Sequence, residues 1–333
     1  MLPEGRRPRA LVTAPLRGEG FDRLGALADV VYDPWIDQSP IRIYGPEQLR
    51  DRVDAEEVDW LIVESDFVGA EVFQSPARTR PLRLLASTRG DPNNVDVAAA
   101  TAAGVPVLNC PGRNADAVAE LAVALLLAVN RGVLRADADV RAGQVYKDGT
   151  IPYQRFRAWQ LAGRTAGLVG LGAVARALRW RLEGLGMTVI AYDPYNNEAK
   201  HSLPELLEQS DVVSMHAPVT PETTGMIGEA QFGAMRPGAV FINTARAQLH
   251  DTDALVAALQ SGHLGGAGLD HFVGENLASD HPLVSMDNVV LTPHIGGATY
   301  DVEAKQASMV ADDIEKLVAG GRPDWIVNPE VLG

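Results

Sequence analysis

The sequence predicts an α/β fold with two domains, each built around a parallel sheet. Short apolar segments typical of buried strands alternate with segments long enough for helices along most of the chain, which is the pattern of parallel sheets covered by helices. A chain of 333 residues is longer than one typical domain, so two domains are expected. Hydrophobic residues make up 46% of the chain and charged residues 22%, which is close to the composition of globular proteins.

The first third of the chain contains short strands separated by helices. Strands are predicted at residues 9–13, 29–32, 58–63, 82–87 and 105–108, with helices at 18–28, at 46–57 and in a segment that ends near Gly104. A long apolar helix follows from about Asn114 to Arg131, with Asn114 and Asp116 as candidate caps. Because its apolar positions exceed one stripe, we expect this helix to lie between layers or at a subunit interface.

The segment TAGLVGLGAVARALRWRLEGLGMTVIAYD, residues 165–193, has the pattern of a dinucleotide-binding unit. Gly170 permits a tight turn, and the missing side chain of Gly172 lets the backbone approach a pyrophosphate at a helix N-terminus, while Ala175 allows close helix packing. Asp193 ends the second strand, where its carboxylate can accept hydrogen bonds from ribose hydroxyls and repel a 2′-phosphate. Glycine-rich turns also occur without a ligand, but the order of strand, turn, helix, second strand and terminal acid favours a dinucleotide site. The acid favours NAD over NADP.

Strands and helices continue to alternate beyond this segment. Further strands are predicted within residues 211–218, 238–246, 266–272 and 288–294. Together with a first strand at 166–169 they form one doubly wound sheet, and a final helix over 298–320 returns to the N-terminal domain. We therefore predict a discontinuous substrate domain of residues 1–108 and 296–333, and a central NAD-binding domain of residues 109–295.

Reactive side chains follow the last three predicted strands. Arg246, Asp270 and His294 stand at strand ends, and Glu275 lies five residues after Asp270. The carboxyl ends of parallel strands meet at the ligand-binding edge of such a sheet. There, His294 can give a proton to a carbonyl oxygen as hydride reaches the carbon, with Glu275 favouring the imidazolium form. The planar fork of Arg246 matches a carboxylate on the neighbouring carbon, which predicts a 2-oxo or 2-hydroxy acid substrate.

Charge and cysteine content restrict the partners and the compartment. The formal charge of −14 argues against a nucleic-acid partner and against an anionic membrane surface. Cys110 is the only cysteine, so no intramolecular disulfide can form. The apolar run after GRRPRA is too short for a secretory signal, and the apolar run at 121–129 falls short of a membrane span. We therefore predict a soluble, cytoplasmic protein with no membrane partner.

Several long motifs resemble those of the D-isomer-specific 2-hydroxyacid dehydrogenase family, which includes phosphoglycerate, glyoxylate/hydroxypyruvate and D-lactate dehydrogenases. The motifs are GLVGLGAVA, HAPVTPETTGMIG, MRPGAVFINTARAQLHDTDAL, GAGLDHF and NVVLTPHIGGAT, and the resemblance covers roughly residues 82–320. It implies two Rossmann-like domains with an interdomain cleft, a substrate domain made from both chain ends, and a homodimer formed through the NAD-binding domain. The D stereochemistry also comes from this resemblance.

The resemblance assigns roles to individual residues. Arg246, Glu275 and His294 are the implied catalytic residues. The implied cofactor-binding residues are Gly170, Gly172, Ala173 and Val174 at the pyrophosphate, Asp193 at the ribose, Asp270 at the nicotinamide end, and His216, Ala217, Pro218, Thr244, Ala245, Arg246, His294, Gly296 and Gly297 along the rest of the groove. No metal is predicted, and the role of His271 is open.

The predicted substrate loop, STRGDPNNVD at residues 87–96, departs from the family pattern. Many relatives carry an uncharged, glycine-rich loop there, whose N–H groups hold the substrate carboxylate. We expect Thr88, Arg89 and Gly90, together with Arg246 and His294, to bind the substrate. Arg89 can pair with a second anionic or polyhydroxy end of a larger substrate, or form a bridge to a neighbouring aspartate.

Two other functions fit parts of the sequence. One is a formate- or phosphite-type dehydrogenase, but formate dehydrogenases of this superfamily carry glutamine at the position of Glu275, and formate oxidation releases no alkoxide proton. The other is an NAD(H)-sensing binding protein similar to the corepressors that share this fold. Turnover of NADH with a 2-oxo acid distinguishes an enzyme from such a sensor.

Overall fold

The computed structural model describes residues 5–78 and 80–333, and strands and helices alternate along them. The strands are β1 (Arg9–Val12), β2 (Asp29–Tyr32), β3 (Trp60–Val63), β4 (Leu84–Ser87), β5 (Val107–Leu108), β6 (Thr165–Val169), β7 (Thr188–Tyr192), β8 (Val212–Met215), β9 (Val240–Asn243), β10 (Gly266–Leu269) and β11 (Val289–Leu291). The helices are α1 (Gly18–Leu27), α2 (Pro46–Ala55), α3 (Val97–Ala102), α4 (Ala115–Arg131), α5 (Val133–Arg141), α6 (Pro152–Arg155), α7 (Ala173–Gly184), α8 (Leu203–Gln209), α9 (Glu229–Ala234), α10 (Thr252–Gln260) and α11 (Tyr300–Val318). Both sheets are parallel, as the alternation predicts.

The first structural unit runs up to Arg113 and includes Thr299–Gly333. Its sheet has the strand order β2-β1-β3-β4-β5. Helix α11 packs against α1 at Gly20, where a Cβ atom would lie 2.3 Å from the backbone nitrogen of Ser308. Only a residue without a side chain allows this close helix contact.

The second structural unit comprises Asn114–Ala298, and its sheet has the strand order β11-β10-β9-β8-β6-β7. The chain enters at β6, adds β7 on one side and then crosses to β8 on the other side, so the order reverses between β6 and β8. In doubly wound sheets a ligand binds beyond the carboxyl ends of the strands at such a reversal. The fingerprint turn follows β6 directly and therefore lies at this point.

The chain passes from one unit to the other at residues 113/114 and 298/299, a few residues after the predicted boundaries at 108/109 and 295/296. Residues beyond β5 remain with the first unit because Cys110 N donates to Arg89 O at 2.9 Å and Arg113 forms an ion pair with Glu64. At the second boundary, the Thr299 side chain accepts a hydrogen bond from Val302 N and caps α11. Both boundaries are therefore set by contacts of loop residues that the strand pattern does not show.

Helix α4 forms part of the core of the second unit, with Leu125, Leu126 and several alanines buried against β6 and α7. Both predicted cap residues lie at the start of this helix. Asn114 occupies the N-cap position but its side chain makes no capping hydrogen bond, and the Asp116 carboxylate instead pairs with Arg181 at 3.2 Å. Asp116 therefore links the first turn of α4 to α7.

Within the described residues, no single helix has the length and apolar content to cross a membrane. Helices α4 and α5 meet those two criteria only when they are taken together, and they are bent by 63° relative to each other. The bend follows Gly132, which ends α4 in the left-handed conformation with φ of +59°.

Candidate active site

The fingerprint turn lies between β6 and α7 and leaves room for a ligand. Gly170 has φ of +95°, and a Cβ atom on it would lie 2.7 Å from the carbonyl carbon of His216. A Cβ atom on Gly172 would instead have no heavy atom within 4 Å, so open space adjoins the N-terminus of α7. The first N–H groups of this helix, on Ala173 and Val174, have no acceptor within it. The turn therefore fits a pyrophosphate held by backbone N–H groups.

Asp193 follows β7 and is fixed by the same turn. Its Oδ2 accepts a hydrogen bond from Leu171 N at 2.8 Å, and its Oδ1 accepts one from Tyr195 N at 2.9 Å. Each carboxylate oxygen has a second lone pair for a ribose hydroxyl. The predicted acid therefore stands beside the glycine turn, and its contact with the ribose stays a prediction.

An ion pair next to Asp193 was not predicted from the sequence. Arg176 of α7 forms a bidentate pair with Glu198, with N–O distances of 2.9 and 2.8 Å, and the negative charge of Asp193 contributes to the raised pKa of Arg176. Hydrogen bonding to Arg176 also lowers the pKa of Glu198. Glu198 therefore occupies a guanidinium that lies close enough to Asp193 to be affected by its charge.

Other predicted cofactor residues line the ends of β8, β9 and β11. His216 Nε2 lies 2.9 Å from Ser214 Oγ, which fixes the ring, and Ala217 and Pro218 continue this loop. Thr244 is buried, and its Oγ1 has no hydrogen-bond partner among the described residues. An unpaired buried hydroxyl at a predicted ligand groove is consistent with a partner supplied by the ligand.

Asn243, the last residue of β9, holds the loop that carries Arg246. Its Nδ2 donates to Arg246 O at 2.8 Å and to His250 Nδ1 at 3.0 Å, and its Oδ1 accepts from Ala245 N at 3.0 Å. The Arg246 side chain itself is exposed, with Nη1 donating to Ala245 O at 2.6 Å. Sequence reasoning missed Asn243, although a buried amide directly before TAR is a recognisable signal for a loop anchor.

The predicted acid–base pair is present in the structure. His294 Nδ1 lies 3.0 Å from Glu275 Oε1, and the two side chains are 45% and 57% exposed, so both reach solvent. Both residues have left-handed backbone, with φ of 55° for His294 and 54° for Glu275. Such conformations are unfavourable for residues other than glycine, asparagine and aspartate, so the surrounding structure has to maintain them.

Asp270 maintains the backbone of His294. Its carboxylate is fully buried and accepts hydrogen bonds from Thr292 Oγ1 at 2.6 Å, Ile295 N at 2.9 Å and Gly296 N at 2.8 Å, while Asp270 O accepts from His294 N at 2.9 Å. The hydrogen bonds of Asp270 therefore stabilise the turn that carries the His294 imidazole. The predicted contact of Asp270 with the nicotinamide end stays a prediction. Gly296 is required beside it, since a Cβ atom there would lie 3.1 Å from Asp270 Oδ2.

His271 packs directly against the acid–base pair. Its ring centroid lies 3.9 Å from that of His294, and its Nδ1 lies 4.0 Å from Glu275 Oε1. The side chain is 4% exposed, and burial, followed by the charges of His294 and Arg246, lowers the pKa of His271 to about 4. His271 is therefore neutral at physiological pH, and Arg246 is close enough to His271 to lower its pKa.

The predicted substrate loop belongs to the first unit and follows β4. Thr88 is fully buried, and its Oγ1 has no hydrogen-bond partner among residues 5–78 and 80–333. Arg89 donates from Nε to Glu64 O at 2.7 Å and from Nη1 to Asn93 Oδ1 at 2.8 Å. A Cβ atom on Gly90 would lie 3.2 Å from Pro111 Cα, so the chain passes close to the 109–113 segment here. These bonds tie the Arg89 side chain to its own loop and to the segment that follows β3.

Known proteins resemble this chain over nearly its whole length. Residues 123–296 match the family model described as "D-isomer specific 2-hydroxyacid dehydrogenase, NAD binding domain". A glyoxylate reductase of Korarchaeum cryptofilum is 35% identical over 98% of this chain and 97% of its own length. The chain belongs to the D-isomer-specific 2-hydroxyacid dehydrogenase family. It is an NAD-dependent D-2-hydroxyacid dehydrogenase, as the motifs predict.

Two further relatives of this dehydrogenase differ in size and substrate. A D-3-phosphoglycerate dehydrogenase of Mycobacterium leprae is 37% identical over 89% of this chain, which spans 55% of that protein. A solved structure of D-mandelate dehydrogenase from Rhodotorula graminis has a TM-score of 0.79 and 26% identity, and the match covers 97% of this chain and 98% of that one. The predicted fold class and the predicted NAD cofactor are confirmed by these matches and by the family model.

Proposed function

We propose that this dehydrogenase reduces a short 2-oxo acid, of the size of glyoxylate or hydroxypyruvate, to the D-2-hydroxy acid, with Arg246, Glu275 and His294 as its catalytic residues. The observation that carries the assignment is the 3.0 Å contact between His294 Nδ1 and Glu275 Oε1 at the ends of β11 and β10. The names of full-length relatives such as glyoxylate reductase support the substrate class.

Each residue has a distinct task in this proposal. NADH supplies a hydride to the carbonyl carbon when it is bound. His294 donates a proton from Nε2 to the oxygen of the developing alkoxide. The donor is Nε2 because Nδ1 already contacts Glu275. Glu275 stabilises the imidazolium and fixes the orientation of the ring. The Arg246 guanidinium forms two hydrogen bonds with the substrate carboxylate and so sets the position of the carbonyl group.

The cofactor groove of the proposal uses the residues assigned above. Backbone N–H groups of Ala173 and Val174 would hold the pyrophosphate, and Asp193 would accept hydrogen bonds from the adenosine ribose. The remaining residues of the groove are Gly170, Gly172, His216, Ala217, Pro218, Thr244, Ala245, Asp270, Gly296 and Gly297. On the substrate side, we propose contacts with Thr88, Arg89 and Gly90.

We also infer that the enzyme is a homodimer formed through its NAD-binding unit. The segment from α5 to β6 exposes many large apolar side chains, which are Val133, Leu134, Val140, Tyr146, Ile151, Tyr153 and Trp159. Leu134 is 56% exposed, Tyr153 87% and Trp159 72%. An exposed surface of large apolar side chains marks a protein–protein contact site, and it stands out on a chain whose formal net charge is −14. These side chains therefore support an interface with a second copy of the chain. A cytoplasmic location stays a prediction from the sequence.

The experiment that tests the function is a screen of NADH oxidation. The purified protein is mixed with NADH and, separately, with glyoxylate, hydroxypyruvate, pyruvate, branched 2-oxo acids and sugar-derived 2-oxo acids. We expect the highest kcat/KM with a short 2-oxo acid, and chiral chromatography of the product should give the D isomer. Tight NADH binding without turnover of any 2-oxo acid would instead indicate the NAD(H)-sensing function. Formate or phosphite oxidation with NAD would indicate the other alternative.

A further inference from the structure

A cluster of three possible metal ligands surrounds the proposed acid–base pair. His271, Glu275 and His294 each offer one ligand atom, and these atoms lie within 4.8 Å of one another. His271 and Glu275 are four residues apart in sequence and His294 follows 19 residues after Glu275, so their spacing does not resemble a metal-binding motif. The close approach of β10 and β11 brings them together.

The donor set and its charge suit a borderline-soft divalent cation. Imidazole binds metal through an unprotonated ring nitrogen, and the His271 ring is buried with its centroid 3.9 Å from that of His294. Nδ1 of His271 is buried and has no hydrogen-bond partner in the described parts of the chain. Glu275 adds a negative charge, and the exposure of Glu275 and His294 gives an ion access from solvent. Two imidazoles and a carboxylate are ligands that Zn²⁺ prefers.

The distances are close to those of a tetrahedral site. Tetrahedral ligands about 2.1 Å from zinc lie about 3.4 Å from each other. Glu275 Oε1 is 3.0 Å from His294 Nδ1 and 4.0 Å from His271 Nδ1, so the observed separations lie on both sides of that value. All three ligand atoms lie within 4.8 Å of one another, so shifts of about 1 Å in the exposed side chains of Glu275 and His294 would bring them to bonding distance.

We propose that His271, Glu275 and His294 bind one Zn²⁺ ion per chain, with the fourth position open to water, and that bound zinc inhibits the reductase. Zinc would take the His294 lone pair and the Glu275 oxygen that otherwise share a proton, and would hold His294 as a neutral ligand. The binding site stands on the geometry alone. The inhibition rests in addition on the proposed role of His294 as proton donor.

Binding is tested on the complete protein without cofactor or substrate, after chelator treatment. Zn²⁺ affinity is measured by competition with a chromophoric chelator, and Co²⁺ is used as a spectroscopic probe because tetrahedral cobalt has intense visible absorption. We expect one ion per chain. His271→Val and Glu275→Gln should each weaken Zn²⁺ binding at least about tenfold and remove the tetrahedral cobalt spectrum. His263→Gln and His281→Gln, which change histidines outside the cluster, should leave the affinity within about twofold.

Unchanged Zn²⁺ affinity in both His271→Val and Glu275→Gln would overturn the proposal, as would the absence of stoichiometric binding to the native protein. Circular dichroism and NADH binding verify that each variant is folded. Inhibition is measured separately, as the fraction of each protein's own zinc-free rate. Zinc should inhibit the native enzyme reversibly, with recovery after EDTA, and inhibit His271→Val at least about tenfold less strongly. If no 2-oxo acid is reduced, the proposed function fails while the metal titration still decides the binding site.

Discussion

His294 Nδ1 and Glu275 Oε1 are 3.0 Å apart, although both residues have backbone conformations that L side chains rarely adopt. The buried Asp270 carboxylate stabilises one of these conformations through its bonds to Ile295 N and Gly296 N. Gly274, with φ of +72°, lets the chain turn immediately before Glu275. Two of the non-glycine residues with left-handed backbone are therefore the two whose relative position the proposed chemistry requires.

His294→Ala should abolish most turnover and leave NADH binding nearly unchanged. The variant removes the proton donor but keeps the glycine turn and Asp193, so kcat should fall about 10²- to 10⁴-fold. The Kd for NADH, measured by fluorescence titration, should change less than about threefold. His281→Ala serves as the control, because its side chain caps a loop outside the pair. Near-native activity of His294→Ala would show that another group supplies the proton.

Much of this arrangement could be predicted from the sequence because it depends on local patterns. The strand–turn–helix order predicted the glycine turn at Gly170 and Gly172, and α7 begins directly after that turn. Contacts between distant segments could not be predicted in the same way. The three bonds of the Asp270 carboxylate have no local signature, since they depend on how the loop after β11 folds over the sheet.

Cofactor selectivity should depend on both Asp193 and Glu198. Asp193→Asn removes the charge that repels a 2′-phosphate, and should raise the ratio of kcat/KM for NADPH to that for NADH about tenfold. Adding Glu198→Gln releases Arg176 from its bidentate pair and should raise the ratio about tenfold more. The matched control adds Arg176→Ala to the double variant and should reverse the second gain. Equal use of NADPH and NADH by the native enzyme would refute the role of Asp193.

Arg89→Ala should change the order in which the enzyme prefers its substrates. If the guanidinium contacts the distal end of the substrate, kcat/KM should fall about 10-fold or more for acidic or polyhydroxy 2-oxo acids and little for glyoxylate. Asn93→Ala is the matched control, because it removes the bond to Arg89 Nη1 while the positive charge remains. A uniform decrease over the whole substrate panel, or an unchanged order, would assign Arg89 to loop structure alone.

Leu134→Glu should dissociate the proposed homodimer. Leu134 is 56% exposed within a surface of large apolar side chains, and a carboxylate there would remain unpaired in a buried interface. Light scattering after size-exclusion chromatography should give twice the chain mass of 35.6 kDa for the native protein and the single mass for the variant. Val284→Glu, at a residue that is 49% exposed elsewhere in the same unit, should remain dimeric. A native protein of single mass at micromolar concentration would exclude the dimer.

Lowering the pH should destabilise the second unit because His250 is protonated more readily in the unfolded chain than in the folded chain. The effect begins at pH values above the ordinary pKa range of carboxylates. Burial lowers the pKa of His250 from 6.5 to about 4, so between these values the unfolded chain binds a proton that the folded chain excludes. The stability contributed by neutral His250 is therefore complete above pH 6.5 and is lost as the pH falls towards 4.

The loss should amount to about 2 kcal/mol between pH 7.5 and pH 5. A protonated His250 Nδ1 can no longer accept from Asn243 Nδ2, the amide that also binds Arg246 O, so the Arg246 loop of the folded chain should loosen only as the pH falls towards 4. Urea unfolding of the native protein and of His250→Gln, which keeps an acceptor but does not titrate, measures this effect. The native midpoint should fall more steeply with decreasing pH than that of the variant. Parallel pH profiles for the two proteins would show that His250 titrates normally in the folded chain.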